Sequence, residues 1–208
     1  MTKKLLQTVK DLIQKYHLHA FKDVAIFMVI LLVFHILWKL FVGDFFELAA
    51  ISNSAYWLAE QVYIQSKWVL ELFNVNVTSF DELTISERLR RNVFYYAENN
   101  GFVSVNRSCS GLKQFYQWFF LMVLYPGPWK HKLWFLPLGL VVIHLVNVFR
   151  ILSMVYVTIN LPQHWDFTHD YVLRPFFYVV MFFLWVWWNE KFYLKKKKPS
   201  ESVADTSS

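Results

Sequence analysis

The 208-residue chain has one cysteine, Cys109. A single cysteine excludes an intramolecular disulfide and a cysteine-rich metal centre. Charge is scarce as well. Asp, Glu, Lys and Arg make up 17% of the residues, against about a quarter in soluble domains. Apolar residues reach 56% and aromatics 20%, so a water-soluble fold of this size would have to expose many Trp and Phe side chains. A bilayer removes that conflict, because lipid is then the solvent. No removable signal peptide is expected. The first apolar run is too long for one, and Asp44 and Glu47 follow it before any small-residue site. No internal repeat is visible. The low-complexity end, 195–208, is expected to be a disordered basic tail, leaving 1–194 as a single membrane domain.

The cations that are present cluster beside apolar runs. Lys3, Lys4, Lys10, Lys15 and Lys22 precede the first run, and Lys195 to Lys198 follow the last. Such flanks set membrane topology, so no nucleic-acid partner is expected. Residues 1–23 read as an amphipathic segment, with Leu5, Leu12, Ile13, Tyr16 and Phe21 suited to the bilayer interface. Val24 to Val42 is a span of roughly 28 Å at helical rise. Leu112 to Pro126, Leu133 to Ile159 and Tyr171 to Glu190 are read as three more. Residues 50–73 keep helical spacing but carry Asn53, Glu60, Gln61, Gln65, Lys67 and Glu71. Several of these at mid-membrane would cost several kcal/mol. The segment is therefore expected to lie on the membrane or against the bundle.

The N-terminus, the Lys130–Lys132 loop and the C-terminus are all basic. Four crossings put all three in the cytoplasm, and a fifth would not. The expected location is a cell inner (plasma) membrane, multi-pass, with both termini cytoplasmic. Residues 43–111 and 160–170 then face outward. Within 75–107, an expected extracytoplasmic cap, Val75 to Thr78 alternates like a strand, Thr84 to Arg91 reads as a short helix, and Asn100-Gly101 signals a hairpin. The fold class is thus an all-α integral membrane bundle, with about four transmembrane helices, amphipathic helices and a small extracytoplasmic β-hairpin.

Three polar residues fall at span boundaries. Arg150 lies toward the outer end of the third span, where it either snorkels to headgroups or marks a functional site. Asn147, three residues earlier, shares nearly the same helix face. Cys109 precedes the second span, with Ser110 expected as its N-cap. A helix start and the nearby Arg107 both favour negative charge on a nucleophilic sulfur. Gly111 permits close backbone approach. The bland alternative is an incidental thiol. His169, before the fourth span, can act as base and acid; His164 is its rival. A metal site from His164, His169 and Asp170 matches no familiar ligand spacing, and neither a metal nor a cofactor is expected. On the four-span topology, Cys109, Arg150 and His169 share one depth, the layout that covalent acyl transfer needs.

Ser108-Cys109-Ser110-Gly111-Leu112, Asn147-Val148-Phe149-Arg150 and His169, in that order at span boundaries, resemble the exosortase/archaeosortase family of membrane cysteine transpeptidases. The stretch 108–118, SCSGLKQFYQW, is similar to its short exosortase F-type members. Ser108 stands where many members carry Ala. The resemblance covers roughly residues 90–190. It implies a membrane cysteine peptidase or transpeptidase that cleaves C-terminal sorting signals of surface or secreted proteins through a thioacyl-enzyme. Cys109 would be the nucleophile, Arg150 the oxyanion partner and His169 the proton carrier. The implied partner is a membrane-anchored protein ending in a short motif, a transmembrane helix and a basic cluster. Two other readings stand beside it: a thiol-dependent acyltransferase, and a non-catalytic membrane assembly factor.

Overall fold

The computed structural model describes residues 18–47 and 49–194. The expected amphipathic segment up to residue 17 and the tail 195–208 lie outside the described residues. Two long helices come first, α1 (Leu18–Glu47) and α2 (Ala49–Leu72). A sheet follows, of β1 (Thr78–Ile85), β2 (Arg88–Tyr96) and β3 (Gly101–Ser104). The chain then forms α3 (Leu112–Leu124) and α4 (Trp129–Asn160). Short helical turns, Pro162–His164 and Trp165–Phe167, and a wide π-type turn, Thr168–Leu173, lead into α5 (Arg174–Trp188).

The arrangement is a helical membrane bundle carrying a small sheet. Along α1, Met28, Val29, Leu32 and Leu40 are each more than half exposed, an outward apolar face that suits lipid rather than water. Among the described residues, three segments are long and apolar enough to cross a membrane: Lys22–Leu40, Trp129–Asn160 and Pro162–Tyr193. The second expected span is shorter than its sequence suggests. The helix of α3 has 13 residues, about 20 Å, or two-thirds of a hydrocarbon core. Gly111 in the left-handed region begins it, and Pro126-Gly127-Pro128 turns the chain directly into α4.

Lipid tails are as apolar as Leu, so close packing and polar contacts hold such helices together. Gly139 of α4 supplies the closest approach, with the Trp118 indole of α3 filling the space where a Cβ would stand. Trp118 Nε1 donates to the Leu136 carbonyl at 3.1 Å. Polar span residues find partners across helices: His144 Nε2 lies 3.0 Å from Gln65 Oε1, and Lys113 Nζ lies 3.4 Å from His35 Nδ1. Gln65 belongs to α2. That polar helix therefore packs against the bundle, the second of its two expected placements.

The sheet differs from the expected single hairpin. Three antiparallel strands run in the order β1-β2-β3. Thr84 to Arg91, read from the sequence as a short helix, is the first hairpin. Ile85 pairs with Arg88, and Ser86 and Glu87 both have positive φ, 50° and 63°. This is the geometry of a two-residue type I′ turn, whose twist matches paired strands. The second hairpin falls where Asn100-Gly101 signals one, with its turn over residues 97–100 and Tyr96 paired to Gly101, the first residue of β3. Asn99 Nδ2 donates to the Thr158 carbonyl at 2.8 Å, which docks the sheet on the end of α4. One buried cluster joins α2, the sheet and α4 through Tyr63, Phe94, Val105, Ile151 and Met154, and Cys109 and Trp165 pack against it.

Candidate active site around Cys109

The backbone between β3 and α3 is held from several directions. Val105 N donates to the Asn92 carbonyl at 2.9 Å, extending the pairing of β3 past its last strand residue. Asn106 Oδ1 then accepts from Ser108 N at 3.0 Å and from Ser108 Oγ at 2.6 Å. These bonds close a 3₁₀ turn, Arg107–Cys109. The Arg107 guanidinium stacks 5.2 Å from the Tyr56 ring and reaches Ser52 Oγ at 3.2 Å. Both of those residues are on α2, so Arg107 braces the turn rather than the thiol.

Ser110 is not the N-cap of α3. Gly111 occupies that position with φ 78°, and Ser110 is the buried residue before it. The Ser110 hydroxyl still accepts from Leu112 N at 3.2 Å. The left-handed step at Gly111 explains the shift. Here the chain passes into α3 through a left-handed residue, a conformation that glycine adopts at least cost.

Asn147 and Arg150 come to this turn from α4. Asn147 is fully buried, and its Nδ2 donates to the Cys109 carbonyl at 2.6 Å. Its Oδ1 has no hydrogen-bond partner among the described residues. A Cβ on Gly111 would stand 3.0 Å from that same amide nitrogen. The glycine therefore serves both the left-handed step and the approach of Asn147. Arg150 is 7% exposed, so it does not snorkel away from the protein. Its Nη2 lies 3.7 Å from Cys109 Sγ, while its Nε is buried without a partner among the described residues. The half-buried sulfur has two further neighbours, Ser108 Oγ at 3.9 Å and the Ser104 carbonyl at 4.0 Å. A thiol beside a guanidinium with unused donor capacity is suited to chemistry that creates negative charge on an oxygen next to sulfur.

His169 is arranged differently. No hydrogen bond among the described residues joins it to Cys109. Its Nδ1 lies 2.6 Å from Asp170 Oδ1, and its ring stacks on Trp165 at 5.1 Å with 11° between planes. Asp170 Oδ1 also pairs with Arg174 Nη1 at 3.2 Å. Trp165, like Cys109, packs against the buried cluster that joins α2, the sheet and α4. His164 ends the turn Pro162–His164 and is exposed; its backbone N donates to the Leu161 carbonyl at 2.9 Å, and its ring makes no hydrogen bond among the described residues. Among those residues no three His, Cys, Asp or Glu side chains gather as a metal site. Asp170 and Trp165 were missed as partners in the sequence. Their signal was present as a Trp four residues before a His-Asp pair, one helical turn apart.

The comparisons with known proteins give the family and no more. No curated protein and no solved structure matches the chain at a significant level. A family model described as transmembrane exosortase matches residues 24–186, which runs from within α1 through nearly all of α5 and covers every residue of the site. With the match running over most of its length, the chain belongs to the transmembrane exosortase family.

Proposed function

We propose that the chain is a membrane cysteine peptidase or transpeptidase that cleaves C-terminal sorting signals of surface or secreted proteins through a thioacyl-enzyme. The observation that carries the reading is the 3.7 Å approach of Arg150 Nη2 to Cys109 Sγ. In the proposed reaction Cys109 Sγ attacks the scissile carbonyl carbon. The carbonyl oxygen becomes an oxyanion and takes hydrogen bonds from Arg150, whose Nε lacks a partner among the described residues. His169 accepts the thiol proton and passes it to the departing amine. The C–N bond breaks, leaving a thioester on Cys109 that an amine or water resolves. Asn147 holds the Cys109 carbonyl and thereby the sulfur's position.

The substrate in this reading is a membrane-anchored protein whose own transmembrane helix brings its cleavage site to the depth of Cys109. The basic flanks favour both termini in the cytoplasm of a cell with its site on the outer face of the plasma membrane. A reporter fused at Asn99 tests that side directly.

Trapping tests the chemistry. A thioacyl adduct should be recovered on Cys109 from native membranes, and its peptide identified by mass spectrometry. Cys109→Ser should abolish processing while the protein still accumulates. Arg150→Lys should slow acylation by about 10²–10³, because a lysine lacks the guanidinium fork that a developing oxyanion needs. Processing that survives Cys109→Ser refutes the proposal. Loss of lipid acyl transfer with intact protein processing would instead identify an acyltransferase.

A further inference from the structure

The geometry points to Asp170 as the positioning residue for His169, making Cys109, His169 and Asp170 a relay in which the carboxylate selects the imidazole tautomer. The inference rests on the proposed role of His169. Its basis is the contact of His169 Nδ1 with Asp170 Oδ1 at 2.6 Å. At that distance a carboxylate oxygen accepts, so Nδ1 carries a hydrogen. In the neutral ring Nε2 is then the free acceptor, the nitrogen that can take a thiol proton.

Three further features favour this over an incidental surface pair. Neighbouring residues on a regular α-helix do not face each other. His169 and Asp170 lie in the π-type turn Thr168–Leu173, a feature frequent at functional sites. The imidazole is fixed in plane by its parallel stack on Trp165, and Trp165 packs on the cluster that also receives Cys109. The carboxylate is itself oriented: Arg174, at the start of α5, reaches the same oxygen at 3.2 Å. The side chain of His169 is 20% exposed and that of Asp170 45%, so the ring is sheltered while the carboxylate borders solvent. An acceptor orienting the far nitrogen of a base is the general logic of nucleophile–base–orienter sets, whatever the fold.

The test uses the full-length protein in detergent micelles, with iodoacetamide as the probe. Cys109 is the only cysteine, so every alkylation event reports on it. Nitrogen-15 spectra of labelled histidine, with the His169 signals assigned by their loss in His169→Gln, report the tautomer. Asp170→Asn is expected to abolish the preference for Nδ1–H. It should also slow alkylation roughly tenfold, the effect of one unit of change in proton affinity. Asp170→Glu keeps the carboxylate and should restore both the tautomer and most of the rate. A merely structural role for Asp170 would leave the nitrogen signals unchanged. Wild-type signals and rate in Asp170→Asn, with His169→Gln slowed, overturn the inference and leave His169 in its proposed role. Unchanged alkylation in both variants removes His169 from the site and the inference with it. Cys109→Ser processing, measured separately, shows whether the peptidase reading itself has failed.

Discussion

Gly111 lies close against Asn147, and replacing it offers a quantitative test of how the cysteine is held. Gly111→Ala adds two separable costs. The residue sits at φ 78°, where a Cβ costs an ordinary residue about 1–2 kcal/mol. The new methyl would also stand 3.0 Å from Asn147 Nδ2. Asn147 must then shift, and its 2.6 Å bond to the Cys109 carbonyl is weakened or lost, worth about 0.5–1.5 kcal/mol. Together these give about 1.5–3.5 kcal/mol, enough to lower the midpoint of thermal unfolding clearly. Gly111→Asn separates them, since asparagine tolerates the left-handed region but still carries a Cβ. Its cost should be mainly the contact with Asn147. A double-mutant cycle with Asn147→Ala completes the test. Removing the amide relieves the clash, so the two substitutions should couple by about 0.5–1.5 kcal/mol. Unfolding in detergent measures stability, and iodoacetamide labelling of Cys109 measures whether the sulfur has moved. Costs that add to within about 0.3–0.5 kcal/mol would falsify the claim that Gly111 exists to admit Asn147.

Two other substitutions probe the frame around the site. Gly139→Ala drives a methyl into the Trp118 indole and should destabilise the α3–α4 contact by about 1–3 kcal/mol, read as a lower unfolding temperature in detergent; an unchanged temperature means that helix contact is looser than described. Ser86→Asn with Glu87→Gly installs the preferred residues of a type I′ turn at two positive-φ positions and should stabilise the first hairpin by up to about 1 kcal/mol, seen as slower amide exchange in β1 and β2. Faster exchange there contradicts the turn assignment.

Much of the bundle was legible because lipid imposes a simple rule. A long apolar run must satisfy its own backbone, and a helix does so within one segment. That rule needs no knowledge of neighbours, so α1, α4 and α5 could be read from hydropathy. The polarity of α2 likewise foretold that it is not simply surrounded by lipid. The Ser86-Glu87 hairpin escaped notice because neither residue favours positive φ by itself. The strand pairing on either side imposes it, and charged residues at helical spacing gave the opposite impression.

The site divides along the same line. The sequence by itself determined a membrane bundle, a cysteine two residues before a glycine at a helix start, and an arginine within a span one turn from an asparagine. Each follows from local composition and spacing. Only the tertiary structure decided that Arg150 turns toward Cys109 rather than toward solvent, that Gly111 and not Ser110 caps α3, and that His169 is engaged by Asp170 and Trp165. Those outcomes depend on which helix faces meet, and a burial of 7% for Arg150 is set by the neighbours it meets there. Spacing along one chain fixes the face a side chain is on; packing between segments fixes what it touches.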